Sequence, residues 1–254
     1  MKEETGTIVE NHHIQNEYYL IKMRADHVSK QGKPGNFIMV SASSTLEPLL
    51  KRPFGIFDLN PPYIWIYYKV VGRGTRLLST LNPDDKISIL GPLGNSFPVL
   101  ENETILAIAG GTGIASVYFA IKEYLKNNKV SLIYGAKSKN DLNFLHSLET
   151  ISLAGLYLYS DDGSIGIKGV VTADIKKIIN QHGITITISC GPDEMLNRIF
   201  WIIKDLKTDD YASLEAIMGC GFGICQSCVV ETRNKEYKQV CTDGPVFKME
   251  EIQW

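Results

Sequence analysis

Four of the five cysteines fall within one short stretch, Cys220, Cys225, Cys228 and Cys241, spaced C-x4-C-x2-C-x12-C. No other feature constrains the chain so tightly, because four thiols held this close must converge in any compact fold. A [2Fe–2S] cluster needs four thiolates on two irons, and commonly takes three from one loop and the fourth from a later segment. The loop here is interleaved with Gly219, Gly221 and Gly223. Glycines let a backbone curl round inorganic sulfide and aim N–H groups at it, where larger side chains would clash. Structural zinc also uses four cysteines, but usually as two C-x2-4-C pairs. Disulfides would require an oxidising compartment, of which the sequence gives no sign. The spacing favours the iron–sulfur cluster, with zinc as the alternative.

At 254 residues the chain has room for two or three domains. A net charge of −2 gives no argument for nucleic acid or an anionic membrane surface. No apolar run is long enough to span a bilayer. The opening MKEETGTIVENHH is polar and acidic, unlike a secretory signal. The expectation is a cytoplasmic protein.

The first hundred residues read as β-rich. Glu17 to Met23, Tyr63 to Val71 and Lys86 to Leu90 are strand candidates between Gly- and Pro-containing turns, and Gly74 to Leu81 reads as one short helix. Short strands at this spacing predict a small antiparallel β-barrel. After about residue 100 the rhythm changes. Apolar strands at Thr104 to Ala109, Val130 to Gly135, Leu156 to Tyr159 and Ile184 to Ser189 alternate with helical stretches at 115–125, 173–180 and 194–206. That alternation predicts an α/β domain on a largely parallel sheet. The boundaries read as 1–99, 100–206 and 207–254, the last carrying the cysteines.

Several segments suit a nucleotide. Gly110, Gly111, Thr112 and Gly113 follow an apolar strand and open a helix, a turn that lets phosphate approach backbone N–H groups. Alone, this is equally a tight structural turn. Asp161 and Asp162 follow another strand and suit ribose hydroxyls. Cys190, Gly191 and Pro192 close a third strand, and open α/β sheets bind ligands at such ends. Cys190 by itself reads more readily as a small buried hydrophobe. In the barrel half, Arg52, Pro53, Phe54 and Gly55 could grip a diphosphate, as could Gly74 and Thr75, though all six are also ordinary turn residues.

Taken in order, RPFG, YYKVVGRGT, GPLGNSFP, AGGTGI, DDGSIGIKG, CGP, SLEAIMGCGFGICQSC and VCTDGPVF resemble the ferredoxin–NADP reductase superfamily. More closely, they resemble the iron–sulfur electron-transfer subunits of dihydroorotate dehydrogenase B. The resemblance runs nearly the whole length, and its last two motifs are the most specific. It implies a multidomain chain: an antiparallel β-barrel binding FAD, an α/β parallel-sheet nucleotide-binding domain, and a small C-terminal [2Fe–2S] domain. By position, the FAD site then comprises Arg52, Pro53, Phe54, Gly55, Tyr67, Tyr68, Lys69, Gly74 and Thr75. Two positions depart from the family pattern. Gly55 stands where serine is usual, removing a hydroxyl near the flavin N5 edge, and Lys69 replaces a common arginine, keeping charge but losing the planar fork.

A nicotinamide exchanges two electrons as hydride and a [2Fe–2S] cluster exchanges one, so a flavin must stand between them. The expected chain of carriers is NAD(H), FAD, cluster and external partner, with no side chain named as catalytic. Asp161 and Asp162 favour NAD over NADP by repelling a 2′-phosphate. The resemblance implies an FMN-containing dihydroorotate dehydrogenase catalytic subunit as partner, in a two-plus-two heterotetramer serving pyrimidine (UMP) biosynthesis. Two rivals remain: the small subunit of an NADH-dependent ferredoxin–NADP oxidoreductase or sulfide dehydrogenase complex, and a scaffolding module that keeps the fold without redox function.

Overall fold

The computed structural model describes residues 1–42, 47–142, 144–148 and 150–254. The first half contributes β1 (Lys2–Gln15), β2 (Tyr18–Arg24), α1 (Asp26–Gln31), β3 (Phe37–Val40), β4 (Arg52–Gly55), β5 (Asp58–Asn60), β6 (Tyr63–Lys69), α2 (Arg73–Ser79) and β7 (Lys86–Leu93). These strands form one seven-stranded antiparallel sheet in the order β4-β3-β7-β1-β2-β6-β5. The sheet curls until β4 approaches β6. Its interior is an aliphatic core built from Ile8, Ile21, Ile38, Ile64, Ile66 and Ile89, alternate positions of their strands, as a one-sided sheet requires.

The second half contributes β8 (Thr104–Gly110), α3 (Ile114–Tyr124), β9 (Lys129–Ala136), α4 (Leu145–Leu148), β10 (Gly155–Ser160), β11 (Ile167–Lys168), α5 (Ile175–His182), β12 (Ile186–Cys190), α6 (Asp193–Ile203) and β13 (Asp209–Ser213). After it come β14 (Val229–Glu231), β15 (Tyr237–Gln239) and β16 (Val246–Lys248). The main sheet runs β11-β10-β9-β8-β12-β13-β16, parallel except for β16. β8 and β12 are almost wholly buried because helices cover both faces. Ile105, Ala107 and Ala109 face α3, while Leu106 and Ile108 share a core with α5 and α6. α5 ends on Gly183 at φ 60°, a left-handed cap that suits glycine.

Three features differ from the sequence expectation. The polar N-terminal segment is a 14-residue strand, β1, paired on both sides. The segment Arg52–Gly55 is a strand at the sheet edge, not a turn. The parallel sheet also continues past residue 206 into β13 and β16, so the segment holding the cysteines grows out of the same sheet.

Candidate functional site

The cysteine loop hangs between β13 and the β14–β15 hairpin. No cysteine is in a disulfide. The four thiols associate two and two. The Cys220 N–H points at Cys225 Sγ and the Cys225 N–H at Cys220 Sγ, each at 3.4 Å. Cys228 and Cys241 form the second pair, and both are buried while Cys225 is exposed. The charge of Cys220 also reaches Cys241, so the two pairs are neighbours; four thiols in one neighbourhood suit two irons. A Cβ at Gly219 would stand 3.2 Å from Cys225 Sγ, so the backbone passes close to the sulfurs. Hydrogen bonds from the Ser227 hydroxyl and backbone, then from Cys220, draw the Cys225 thiol down to about 6, towards the thiolate that metals need. Burial and the neighbouring Cys228 push Cys241 up to about 12; a bound cation would reverse that balance.

A cavity of ≈ 750 Å³ opens between the two sheets, at the C-terminal ends of the parallel strands. That volume is in the range of cofactor sites. Gly110, Gly111, Thr112 and Gly113 line it, as do Asp161, Gly191, Pro192 and Lys69. Gly111, at φ +54°, has nothing within 4 Å of where a Cβ would lie. Gly113 is the opposite case: a Cβ there would fall 2.2 Å from the Cys190 carbonyl oxygen. The two glycines therefore serve different ends, open space for a ligand and contact with β12. Cys190 is fully buried and does not line the cavity. Asp162 also lies outside that lining. Its carboxylate accepts from the Ser164 N–H (2.9 Å) and hydroxyl (2.6 Å), which lower its pKa and hold the turn.

Lys69 reaches the cavity with its ammonium 3.6 Å from Asp141 and 4.9 Å from the centre of the Tyr18 ring. The Tyr18 hydroxyl donates to Asp141 at 3.0 Å. Burial opposes ionisation of Asp141, but hydrogen bonds from Ser138 and Tyr18 and the charge of Lys69 outweigh it, so its pKa is lowered. The site also contains residues the sequence reading did not single out: Lys137, Glu194, Arg198 and Glu215. Glu194 and Arg198 are four apart on α6, directly after Pro192, so a helical-face reading of that segment would have found them. Glu215 gave no local signal beyond its place ahead of the cysteines.

A second, smaller cleft of ≈ 200 Å³ shares Glu215 with the first. Pro53, Phe54 and Gly55 form its barrel side, and Ser116, Ser213 and Leu214 its α/β side. Enclosure, then the charge of Asp193, raises the Glu215 pKa. Arg52 crosses the start of α2, where a Cβ at Gly74 would stand 2.6 Å from its Nε. The Thr75 hydroxyl is committed to its own turn, accepting from the N–H groups of Val71 (2.9 Å) and Gly72 (3.2 Å). Tyr67 and Tyr68 are buried and line neither cavity: Tyr67 stacks on Tyr18 at 5.8 Å and Phe54 meets Tyr68 edge-on at 5.6 Å. An arginine on a glycine cradle, an apolar strand and a cleft beside a larger cavity suit a long, flat, diphosphate-bearing ligand such as FAD.

A curled antiparallel sheet beside a parallel α/β sheet, with a cavity between them and a cysteine loop at one edge, defines an NAD-linked oxidoreductase of the ferredoxin-reductase type. Residues 107–199 match the oxidoreductase NAD-binding domain, and residues 215–253 the iron–sulfur cluster binding domain of dihydroorotate dehydrogenase B. The chain is 35% identical to the dihydroorotate dehydrogenase B (NAD(+)) electron transfer subunit homolog of Aquifex aeolicus, over 99% of each. It is also 35% identical to the electron transfer subunit of a Geobacillus species, over 99% of each. Among solved structures, a chain of NADH-dependent reduced ferredoxin-NADP oxidoreductase superposes with TM-score 0.88 at 30% identity, covering 98% of this chain and 90% of that one. A Neisseria gonorrhoeae ferredoxin NADP+ reductase with bound FAD and NADP shares the fold, with TM-score 0.69 at 16% identity over 81% and 92% of the two chains. The chain belongs to the family of dihydroorotate dehydrogenase B electron transfer subunits.

Proposed function

We propose that this chain carries electrons between an FMN-containing dihydroorotate dehydrogenase catalytic subunit and NAD⁺, through a [2Fe–2S] cluster and FAD, in pyrimidine synthesis. The observation that carries the reading is the adjacency of the three sites. The larger cavity and the smaller cleft share Glu215 in their linings, five residues ahead of Cys220. In this reading residues 1–99 hold FAD, 100–206 hold NAD(H), and 207–254 hold the cluster on a segment rooted in the parallel sheet. Cys220, Cys225, Cys228 and Cys241 bind the irons. Arg52 and the backbone N–H groups of Gly74 and Thr75 hold the FAD diphosphate, while Pro53, Phe54, Gly55, Tyr67, Tyr68 and Lys69 surround the rest of it. Gly110 to Gly113, Asp161, Gly191 and Pro192 receive the dinucleotide, with Asp162 and Cys190 supporting their backbone.

When bound, the flavin couples the two-electron and one-electron couples. The protein's own residues bind, orient and exclude water, and none is assigned as an acid or base. A two-plus-two assembly in the cytoplasm fits the reading; no helix among the described residues is long and apolar enough to cross a membrane. The test is anaerobic turnover of the native complex: dihydroorotate-driven NAD⁺ reduction that stops when this chain is withheld. No turnover, with NADH still bleaching the flavin, would move the chain to a different partner. The likeness to the ferredoxin-NADP oxidoreductase chain supports that second reading, and reduction of NADP⁺ by a complex containing this chain would establish it.

A further inference from the structure

α3 is wedged between the two sheets. Its Phe119 packs in the barrel core, whereas Ile114, Val117, Tyr118 and Ile121 pack with the parallel strands. Ser116 lies one turn before Phe119, and positions three apart share a helix face, so it too looks towards the barrel. There it meets β4: a Cβ on Gly55 would stand 3.2 Å from Ser116 Oγ and 3.6 Å from its Cα. Among the described residues lining the smaller cleft, only Ser116, Ser213 and Glu215 carry polar side chains. Ser116 supplies the hydroxyl opposite Gly55, where β4 has no side chain of its own.

Behind Ser116 sits the fully buried Cys190 thiol, with the Ser116 and Ser213 hydroxyls beside it. Burial pushes that thiol up to about 12, so it stays protonated at neutral pH. That thiol has one proton and its sulfur can accept from either serine, so the Ser116 hydroxyl is not bound to a single direction; since Ser116 also lines the cleft, it can turn its proton there, towards β4.

We propose that the Ser116 hydroxyl is the hydrogen-bond donor to the N5 edge of the flavin, in place of the side-chain hydroxyl that Gly55 lacks. The assignment rests on the reading that FAD occupies this cleft. Two-electron reduction places hydrogen on N5, so a hydroxyl there donates to the oxidised ring and can only accept from the reduced one, two contacts of unequal strength. Losing it should shift the oxidised-to-reduced ratio at fixed potential by about tenfold, or ~30 mV for a two-electron couple.

The test uses the holoprotein, purified anaerobically with its cluster, and titrates the flavin potential in wild type, Ser116→Ala, Ser116→Thr and the double variant Gly55→Ser/Ser116→Ala. The expected pattern is a shifted potential and altered visible flavin spectrum in Ser116→Ala, with FAD content and melting temperature unchanged. Ser116→Thr and the double variant should restore both properties by returning a hydroxyl. A Ser116→Ala protein with full FAD and an unshifted potential would overturn the assignment while leaving the FAD reading intact. If Ser116→Ala shifts the potential but neither hydroxyl-bearing variant restores it, the serine acts only by packing and the assignment falls. Wild-type protein purified with its cluster and no FAD, and unable to rebind it, would remove the cleft reading itself.

Discussion

The two inner glycines of the nucleotide turn should fail in different ways. In Gly113→Ala the new methyl would lie 2.2 Å from the Cys190 carbonyl oxygen and 2.5 Å from its carbon. Ordinary contact begins near roughly 3.5 Å, so one backbone must yield by more than about 1 Å. β12 cannot yield alone, because it is buried along its whole length and bonded to β8 and β13. The cost should reach the upper end of overpacking, about 3 kcal/mol. For a chain of this size that lowers Tm by roughly 6–12 °C. In Gly111→Ala the methyl meets nothing within 4 Å, and the penalty is the φ of +54°, about 1–2 kcal/mol. Its methyl instead projects into space a dinucleotide would need. Thermal unfolding by circular dichroism, at matched FAD and cluster loading, should rank Gly113→Ala as the less stable. Anaerobic NADH titration of the flavin should show the larger affinity loss per degree of Tm lost in Gly111→Ala. If Gly113→Ala melted with wild type, or Gly111→Ala bound NADH normally, the division of labour drawn from these distances would be wrong.

Asp210 is half-buried and burial lifts it to about 6, against hydrogen bonds from Thr187 (2.7 Å) and Thr208 (3.1 Å). A folded pKa above the unfolded one means the native state holds the extra proton, so stability falls as pH rises between the ordinary aspartate value of 3.8 and about 6 and stays lower above. Asp210→Asn should then stabilise the protein at neutral pH by about 1–2 kcal/mol, allowing for partial exposure, and flatten that slope; urea unfolding at neutral and mildly acid pH measures both. Asn95 binds the Asp243 and Val246 carbonyls at 2.8 and 2.7 Å and accepts from the Val246 N–H at 2.9 Å. Asn95→Ala should cost about 1–3 kcal/mol and speed cluster loss, followed by the decay of its visible absorbance in chelator. Cys225→Ala should abolish stoichiometric iron while leaving NADH reduction of FAD in place, shown by iron analysis beside stopped-flow bleaching.

What the sequence revealed and concealed follows from where each signal resides. The cysteine spacing is local, so the segment that matches an iron–sulfur cluster binding domain could be read directly. β8 and β12 announce themselves as continuous apolar runs because both their faces are covered. β1 was hidden because, of its fourteen positions, only Gly6 and Ile8 are buried, leaving no alternation to detect. β4 was hidden by Pro53; yet β4 is the outermost strand of its sheet, the place where proline is tolerated. Asp161 and Asp162 were indistinguishable in one dimension. Only the fold turns the first towards the cavity and commits the second to Ser164. Glu215 and Ser116 owe their positions to long-range packing that no short window contains.

That packing bears on electron transfer, which depends on fixed separations. The cysteine loop is not suspended from its own hairpin alone. Gly221, at φ +82°, lies so close to β3 that a Cβ there would stand 2.5 Å from Met39 Cγ. Met39 is in turn the register partner of Pro53 on β4. One methionine therefore separates the cysteine loop from the strand that lines the smaller cleft. The surrounding core is continuous: Phe37, Met39 and Leu93 of the barrel pack with Cys228, Cys241 and Phe247, and with Leu196 and Ile199 of α6. A shift of any one unit would strain the other two, since packed interiors resist local displacement. The buried thiols Cys228 and Cys241 are embedded in that core, while Cys225 faces solvent. The loop thus presents one thiol pair towards the surface and the other towards the protein interior, the arrangement a relay between an external donor and an internal acceptor requires.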